Sequence, residues 1–387
     1  MMEVKQFQPY IGKEEYDLIK DCFSSNWITE GPKAKEFSEK LCKLIGCKYG
    51  VFAPNGTLSL YLGLKAIGIK PGDEVIVPDF TFIASANAVE MIGAKPIFAD
   101  IDLKTLHIDI NKCEELITTK TKAIMPVHIY GTSANMDSVM KFANKYNLKV
   151  IEDAAQAIGV KWKGKHCGSF GDVGSFSFFA DKTITTGEGG FVCTNDEKIY
   201  KNLLYLRNQG RIDRGSFKHP EIGYNFRITD IQCAVGLAQL KKLDIIIEKK
   251  QNILKIYKDN LKNIKGITIL EPINGSNHIP FRVAISFDRK IDEIMKYLSN
   301  HNIETRTFFY PIHKQPCYMN CDCVNDKCSD FVNSSYVYEH GLCMPSYPEL
   351  KKEQIEYVCN KLKDALNIND FELHCLNNDE DPYLQTR

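Results

Sequence analysis

One lysine, Lys182, lies in the sequence between a run with strand periodicity and a glycine-rich turn. Before it, Phe176 and Phe178 alternate with serines, and after it residues 187–190 read Gly-Glu-Gly-Gly. An amine placed among aromatic side chains is partly desolvated, which lowers its pKa and makes it a nucleophile toward a carbonyl. The alternative is a surface lysine on a hairpin, so the choice depends on which other groups accompany Lys182.

Three other segments end strand-like runs in the same way. They are Asn-Gly-Thr at 55–57, the aromatic Phe82, and Asp-Ala-Ala-Gln at 153–156. Strand-like and helix-like segments alternate through this region with short connections, which predicts a mainly parallel sheet covered by helices on both faces. Such sheets bind ligands at the carboxyl ends of their strands, so we expect these segments to meet at one site with Lys182.

The pattern changes after Arg227. Residues 228–262 read as one long, lysine-rich helix that bridges two lobes. Beyond it, strand-like runs, among them 305–310, alternate with helical runs and predict a smaller α+β lobe. We therefore expect a large α/β domain, a small C-terminal domain and a polar tail, which span residues 1–240, 241–370 and 371–387.

Together these residues suit the binding of pyridoxal 5′-phosphate. A lysine amine forms an imine with an aldehyde, and an aspartate at a strand end, Asp153, can hold a pyridinium proton. A Gly-Thr helix start with Ser177 can hold a phosphate, and Phe82 can stack on a flat ring. For the helix start alone, an ordinary cap by Asn55 or Thr57 is the competing interpretation.

Composition excludes several classes of protein. The chain has 387 residues, 44% of them hydrophobic, with 49 basic and 49 acidic side chains. It has no block of like charge, so we expect neither nucleic acid nor an anionic membrane as a partner. It also has no signal-peptide pattern and no apolar run near the roughly 20 residues of a membrane span. Fourteen cysteines, mostly single and in apolar contexts, are typical of buried thiols in the cytoplasm.

Six ordered motifs make the chain similar to the DegT-type sugar aminotransferases, in the aspartate-aminotransferase (fold type I) superfamily of pyridoxal 5′-phosphate enzymes. The resemblance extends from about residue 7 to residue 365 and is closest to members that aminate nucleotide-linked 4-keto-6-deoxy sugars. It implies a fold type I large domain, a smaller α+β domain and a homodimer with shared active sites. The motifs lie at 55–57, 78–84, 152–156, 175–182, 187–190 and 223–227.

The resemblance also implies a role for each motif residue. Lys182 would hold the cofactor as an imine and then move protons, and Asp153 would pair with the pyridine nitrogen. The remaining cofactor contacts would come from Gly56, Thr57 and Ser177 at the phosphate, Phe82 and Gln156 at the ring, and Asn225 from the neighbouring subunit. On spacing alone, Asn225 could equally be a loop cap.

L-glutamate is the usual amino donor of the family, and a ketone is the acceptor. A close branch carries histidine in place of the lysine and dehydrates sugars, and Lys182 argues against membership of that branch. A regulatory protein that binds pyridoxal 5′-phosphate without turnover is the alternative from another class of function.

Three residues match family positions near the substrate: Trp27 and Thr29 in one loop, and His313. A structural histidine and a tryptophan packed between the lobes are the competing interpretations for two of them. The resemblance points to a nucleotide-linked 4-keto-6-deoxy sugar as acceptor, for a surface polysaccharide or glycan precursor.

The segments 211–221 and 314–330 are the least similar to the family. Basic groups in the first suit a pyrophosphate, the single phosphate of a small ketone such as dihydroxyacetone phosphate, or a solvated loop; they are Arg211, Arg214, Lys218 and His219. Four cysteines crowd the second, without the two clean pairs of a structural zinc site. We therefore predict no metal and free thiols at Cys317, Cys321, Cys323 and Cys328.

Overall fold

The computed structural model describes residues 2–211, 215, 217–319 and 331–367, and every structural statement below refers to them. Arg214 and three of the four clustered cysteines therefore lie outside the described residues. Cys317 is described, and it is exposed and free of any disulfide.

A seven-stranded sheet forms the centre of the larger lobe. The strands of this lobe are β1 (Tyr49–Ala53), β2 (Glu74–Pro78), β3 (Lys95–Ala99), β4 (Thr121–Ile124), β5 (Lys149–Asp153), β6 (Lys161–Trp162), β7 (Lys165–His166), β8 (Val173–Ser177) and β9 (Gly190–Thr194). The sheet order is β1-β9-β8-β5-β4-β2-β3, and β9 alone in it runs against its neighbours. β2 and β9 are buried along their whole length. The predicted mainly parallel α/β sheet is thus confirmed, as expected for strands covered on both faces.

Helices cover this sheet and continue into the second lobe. They are α1 (Lys13–Ser24), α2 (Pro32–Ile45), α3 (Gly56–Ala66), α4 (Ala84–Glu90), α5 (Ile110–Cys113), α6 (Met136–Tyr146), α7 (Glu197–Arg207), α8 (Asp230–Lys241), α9 (Leu243–Leu261), α10 (Asp292–Asn300), α11 (Val332–His340) and α12 (Lys352–Asn367). Local signals explain several ends: α2 begins with a proline and stops at Gly46, whose φ is +78°, where glycine is favoured.

The smaller lobe is built on a four-stranded antiparallel sheet. Its strands are β10 (Ile267–Ile269), β11 (Val283–Phe287), β12 (Arg306–Thr307) and β13 (Gly341–Met344), in the order β10-β11-β13-β12. α9 joins the two lobes, because Ile246 is buried in the core of the large lobe and Tyr257 in that of the small one. The domain boundary near residue 240 stays a prediction.

Two sequence-based predictions of elements were wrong. Residues 228–262 form two helices, since α8 ends at Lys241 and α9 begins at Leu243. Between them the Lys242 amine turns back to Glu15, 2.6 Å away, which ties the junction to α1. The strand expected over 305–310 is reduced to β12, because Phe308 and Phe309 leave the sheet and pack on the rings of Phe80 and Tyr130.

Candidate active site

The strand ends predicted to converge do meet, at a cavity of about 420 Å³ on the carboxyl-end side of the large sheet. Seven of the predicted cofactor residues line it: Gly56, Thr57, Phe82, Asp153, Gln156, Ser177 and Lys182. The segments that carry them follow β1, β2, β5 and β8, so the parallel arrangement of these strands brings them to one edge. The small lobe closes the other side with Arg282, Arg306 and Thr307.

One end of the cavity is formed by the start of α3 against β8. Asn55 caps the helix, with its Oδ1 accepting a hydrogen bond from the Leu58 N–H at 3.0 Å. A Cβ atom on Gly56 would lie 2.8 Å from the Cβ of Ser177, so this close approach requires glycine. The cap engages the N–H of Leu58 and leaves those of Gly56 and Thr57 for an anion. The helix-cap interpretation for Asn55 and the phosphate interpretation are therefore compatible.

Lys182 lies in the loop between β8 and β9, and its side chain is 16% exposed. The amine lies 4.4 Å from the centre of the Phe281 ring and 3.6 Å from Asp181 Oδ1. Burial lowers the pKa of Lys182 below its ordinary value, Asp181 opposes this, and the positive charge of Arg282 adds to it. The desolvated amine expected from the sequence is thus present.

Asp153 ends β5 and is buried at the floor of the cavity. Its Oδ2 accepts a hydrogen bond from Ser85 Oγ at 2.7 Å, and its Oδ1 accepts one from the Ala155 N–H at 3.1 Å. Burial raises the pKa of Asp153, while the Ser85 and Ala155 hydrogen bonds and the charge of Lys182 act in the opposite direction. A cationic partner, such as a protonated ring nitrogen, stabilises the ionised form of a carboxylate that is buried in this way.

Gln156 and Phe82 both line the cavity. Gln156 Oε1 accepts a hydrogen bond from the Tyr130 N–H at 2.7 Å, so its NH₂ group is left to donate to a ligand. Phe82 is 58% exposed, and its ring is 6.2 Å from that of Phe309. A flat ring stacked on Phe82 would cover apolar surface that now faces the cavity.

A buried ion pair lies directly behind Asp153 and was missed from the sequence. His128 Nε2 is 3.1 Å from Glu152 Oε2, and both side chains are fully buried. Glu152 also accepts hydrogen bonds from the backbone N–H groups of Gly168, Phe170 and Gly171 at 2.6–2.8 Å. Burial opposes a charged imidazole, but Cys167 and Glu152 raise the pKa of His128. The pair anchors the end of β5 from which Asp153 projects.

Four predicted site residues do not line this cavity. Asn225 is exposed, forms a bridge with Asn208, and is not one of the residues that line the cavity of its own chain. Trp27 is 44% exposed and lines a different groove beside α2 and α7, so it is not packed between the lobes. Thr29, in the same loop, is exposed as well.

His313 has a partner in the large lobe. Its Nδ1 is 2.7 Å from Asp79 Oδ2, and its backbone N–H donates to Asp79 Oδ1 at 2.8 Å. The imidazole also stacks on Phe331 at 4.4 Å. Within this chain His313 therefore joins the end of β2 to the segment that follows β12, which agrees with the structural interpretation considered beside the substrate role.

Several cavity residues carried no sequence signal. Arg282 and Arg306 come from the small lobe, far along the chain, and Asp181 was hidden inside the lysine motif. The hydroxyl of Ser85, which is close to Phe82 in sequence, could have been suspected. Across the described ranges, no group of three or more His, Cys, Asp or Glu side chains is arranged to hold a metal ion. None of the helices in that part of the chain has the length and apolar character of a membrane span.

Known proteins match the chain over most of its length. GDP-perosamine synthase of Escherichia coli O157:H7 is 39% identical over 367 residues, which cover 94% of this chain and 99% of that protein. The dTDP-4-amino-4,6-dideoxy-D-glucose transaminase of Shigella dysenteriae is 35% identical over 346 residues, or 88% and 92% of the two chains. Helicobacter pylori PseC, an aminotransferase involved in the biosynthesis of pseudoaminic acid, has a TM-score of 0.88 and 27% identity over 94% of this chain and 99% of its own.

The sequence profile of the DegT/DnrJ/EryC1/StrS aminotransferases matches residues 9–363. This span contains both lobes and every residue of the cavity. The chain therefore belongs to the DegT/DnrJ/EryC1/StrS aminotransferase family and is a pyridoxal 5′-phosphate-dependent sugar aminotransferase.

Proposed function

We propose that this enzyme transfers the amino group of L-glutamate to the keto carbon of a nucleotide-linked 4-keto-6-deoxy sugar, for a surface polysaccharide or glycan precursor. The observation that supports the proposal most is the common cavity, which Lys182 and Asp153 line together with Gly56 and Ser177, the residues at the close approach of α3 to β8. The names of the E. coli and S. dysenteriae relatives support a nucleotide-linked sugar.

The residues of the cavity fit pyridoxal 5′-phosphate. The N–H groups at the start of α3 and Ser177 would hold the phosphate, Asp153 the ring nitrogen and Lys182 the aldehyde carbon. Phe82 would stack on the ring, and Gln156 would contact it through its free NH₂ group. When bound, the cofactor supplies an electron-withdrawing ring that stabilises negative charge at the donor Cα.

Burial shifts the pKa of Lys182 below the ordinary lysine value, which suits the amine for moving protons. With donor and cofactor bound, the free Lys182 amine would accept the proton of the donor Cα and then deliver it to the next reacting carbon. Desolvation favours the neutral amine that begins this sequence, and Asp181 favours the ammonium group that follows. A cationic ring nitrogen beside Asp153 would offset the cost of burying its carboxylate.

Two arginines line the cavity, and one of them is accessible. The Arg306 side chain is 53% exposed, so it would offer complementary charge to anionic glutamate and to a nucleoside diphosphate, whereas Arg282 is buried and paired with Asp181. We also propose a cytoplasmic homodimer in which Asn225 reaches the cofactor phosphate of the neighbouring subunit. The exposure of Asn225, outside its own cavity, supports this arrangement.

A single-turnover experiment tests the acceptor. The enzyme is reconstituted with pyridoxamine 5′-phosphate and mixed with GDP- or dTDP-4-keto-6-deoxyhexose, while absorbance follows the return of the cofactor to Lys182. We expect rapid return with at least one of these sugars. Return only with a small phosphorylated ketone such as dihydroxyacetone phosphate would replace the sugar proposal, and a bound cofactor that ignores L-glutamate and every ketone would indicate a regulatory protein.

A further inference from the structure

Asp181, the residue before Lys182, is a buried acid that the proposed reaction has not yet used. Its side chain is 8% exposed, and it lines the same cavity as Lys182 and Asp153. Acidic side chains are seldom buried unless each oxygen is satisfied by a partner. The partners of its two oxygens therefore indicate what the residue does.

The two carboxylate oxygens of Asp181 have different surroundings. Oδ2 accepts a hydrogen bond from Arg282 Nη2 at 2.5 Å and lies 4.0 Å from Arg306 Nη1. Oδ1 has no hydrogen-bond partner among the described residues, and the Lys182 amine lies 3.6 Å from it. One oxygen is thus held by the small lobe, while the other faces the lysine just beyond hydrogen-bond distance.

We propose that Asp181 is a positioning residue whose Oδ1 accepts a hydrogen bond from the free Lys182 amine. This contact orients the amine between the donor Cα, which loses a proton, and the carbon that receives it. This inference rests on the proposed function. The proton leaves the donor Cα, makes Lys182 an ammonium group, and departs from the same nitrogen to the second carbon. Asp181 stays a carboxylate throughout, so it takes up no proton and only balances the transient positive charge.

Other charged groups near Lys182 explain why a carboxylate is needed to balance its transient positive charge. Arg282, the residue directly before β11, opposes an ammonium group at Lys182. Arg306 on β12 adds a second cation to the lining of the same cavity. On the α9 side, the buried Lys250 amine donates to the carbonyls of Pro280 and Phe281. Asp153 is the other carboxylate near Lys182, and in the proposed complex it would pair with the ring nitrogen of the cofactor.

Arg282 holds Oδ2 of Asp181 in place, which makes this carboxylate suitable for orienting the Lys182 amine. Arg282 is itself held, because its other terminal nitrogen donates to Gln6 of the N-terminal segment. The carboxylate therefore cannot rotate freely toward Lys182, and the amine must come to it. A preorganised acceptor of this kind is more effective than a mobile one, since no ordering is required during the reaction.

The first test measures Lys182 without cofactor or substrate. Cofactor-free wild type and Asp181→Asn are treated with trace acetic anhydride across a pH series, and mass spectrometry measures acetylation of Lys182. Asparagine keeps the shape but removes the charge that favours the ammonium group, so we expect acetylation at pH 7 to be about tenfold faster. Asp17→Asn is the matched control, because it makes the same change at an exposed pair with Lys13 and should leave the Lys182 profile unchanged.

The second test uses the loaded enzyme with L-glutamate deuterated at Cα. Asp181→Asn should slow the first half-reaction about tenfold with little change in KM, and the isotope effect should increase because proton transfer becomes more strongly rate-limiting. An unchanged acetylation profile and an unchanged isotope effect in a folded Asp181→Asn protein would overturn the proposal. The acetylation result stands even if L-glutamate is not the donor, so it separates this inference from the proposed function.

Asp181→Ser keeps the proposal testable if Asp181→Asn does not fold. The serine side chain is uncharged as well, so acetylation of Lys182 at pH 7 should again be faster than in the wild type. An unchanged or slower rate in this folded variant would contradict the role of Asp181. Thermal unfolding of each cofactor-free variant identifies those that are folded.

Discussion

The pKa of Lys182 is set by opposing effects of burial and of two neighbouring charges. Desolvation and Arg282 lower the pKa of the amine, and Asp181 raises it. A lysine without these neighbours would be almost fully protonated at neutral pH and would be a poor nucleophile. The aromatic and glycine-rich surroundings visible in the sequence were enough to predict the desolvation.

Replacement of this amine should abolish the chemistry while preserving the fold. Lys182→Ala should lower kcat at least about 100-fold, the lower part of the range that general acid–base catalysis contributes. Lys182→Arg should fail equally, because a guanidinium group neither forms the imine nor releases a proton at neutral pH. Steady-state kinetics and the loss of the covalent cofactor band measure both effects, and near-normal turnover by either variant would remove Lys182 from its role.

Asp153 can be tested separately from cofactor binding. Asp153→Asn should still bind the cofactor through the phosphate and stacking contacts, but it should react about 100-fold more slowly, as when one preorganised electrostatic contact is removed. Binding is measured by titration and the half-reaction with L-glutamate by stopped flow. Equal half-reaction rates in the variant and the wild type would exclude Asp153 from contact with the ring.

Residues near the chemistry could be predicted because short motifs at strand ends carry them. Lys182, Asp153 and Gly56 each lie within one local segment, and the sheet brings those segments together. His313 shows why others could not be placed. Its partner Asp79 lies 234 residues away, and no pattern around either residue indicates their contact.

The start of α3 is the element on which the proposed phosphate site depends. Its cap by Asn55 fixes the first turn, and Ser59 Oγ is 2.5 Å from Ser175 Oγ, which holds the helix against β8. Gly56 then allows the helix to approach Ser177 more closely than any side chain would permit. The cradle therefore depends on contact between two elements and not on one residue.

Gly56→Ala should weaken cofactor binding more than it weakens the fold. The added methyl would force α3 and Ser177 apart, with overpacking that costs about 1–3 kcal/mol, partly offset by the better helix propensity of alanine. We expect the Kd for pyridoxal 5′-phosphate to rise about tenfold. Gly12→Ala at the exposed start of α1 is the control, and an unchanged Kd in Gly56→Ala would show that the cradle does not bind the phosphate.

Elements were predictable where periodicity was strong and unpredictable where tertiary contacts decide them. The alternation over the first 153 residues indicated β1 to β5 correctly, because buried strands and amphipathic helices have distinct periods. The break between α8 and α9 gave no such signal, since helix-forming residues continue through Lys242. β12 is likewise short because Phe308 and Phe309 pack in an aromatic cluster with Phe80.

At the scale of the whole molecule, the cavity lies where the two lobes meet. α9 is buried in both cores, and the N-terminal segment pairs with the small lobe through Val4 and Ile303 before α1 packs on the large one. The wall that carries Phe281 and Arg282 thus depends on both lobes. Two lobes could be anticipated from composition changes along the chain, whereas their joint wall required three-dimensional contacts.

A shared active site can be tested by mixing two variants that are each impaired. In a dimer of Lys182→Ala with Asn225→Ala, one of the two sites should contain both an intact Lys182 and an intact Asn225, because each comes from a different subunit. Random exchange of subunits makes half of the dimers mixed, so activity at limiting cofactor should recover to about a quarter of that of the wild type.

The matched control mixes Lys182→Ala with Asp153→Asn. These two residues line one cavity within a single chain, so every site in the mixed dimer lacks one of them and no recovery is expected. Native mass spectrometry confirms that mixed dimers have formed in both experiments. If the first mixture stays inactive although its mixed dimers are present, Asn225 acts within its own subunit or not at all. If the control recovers as well, Lys182 and Asp153 serve different sites, which their common burial in one cavity argues against.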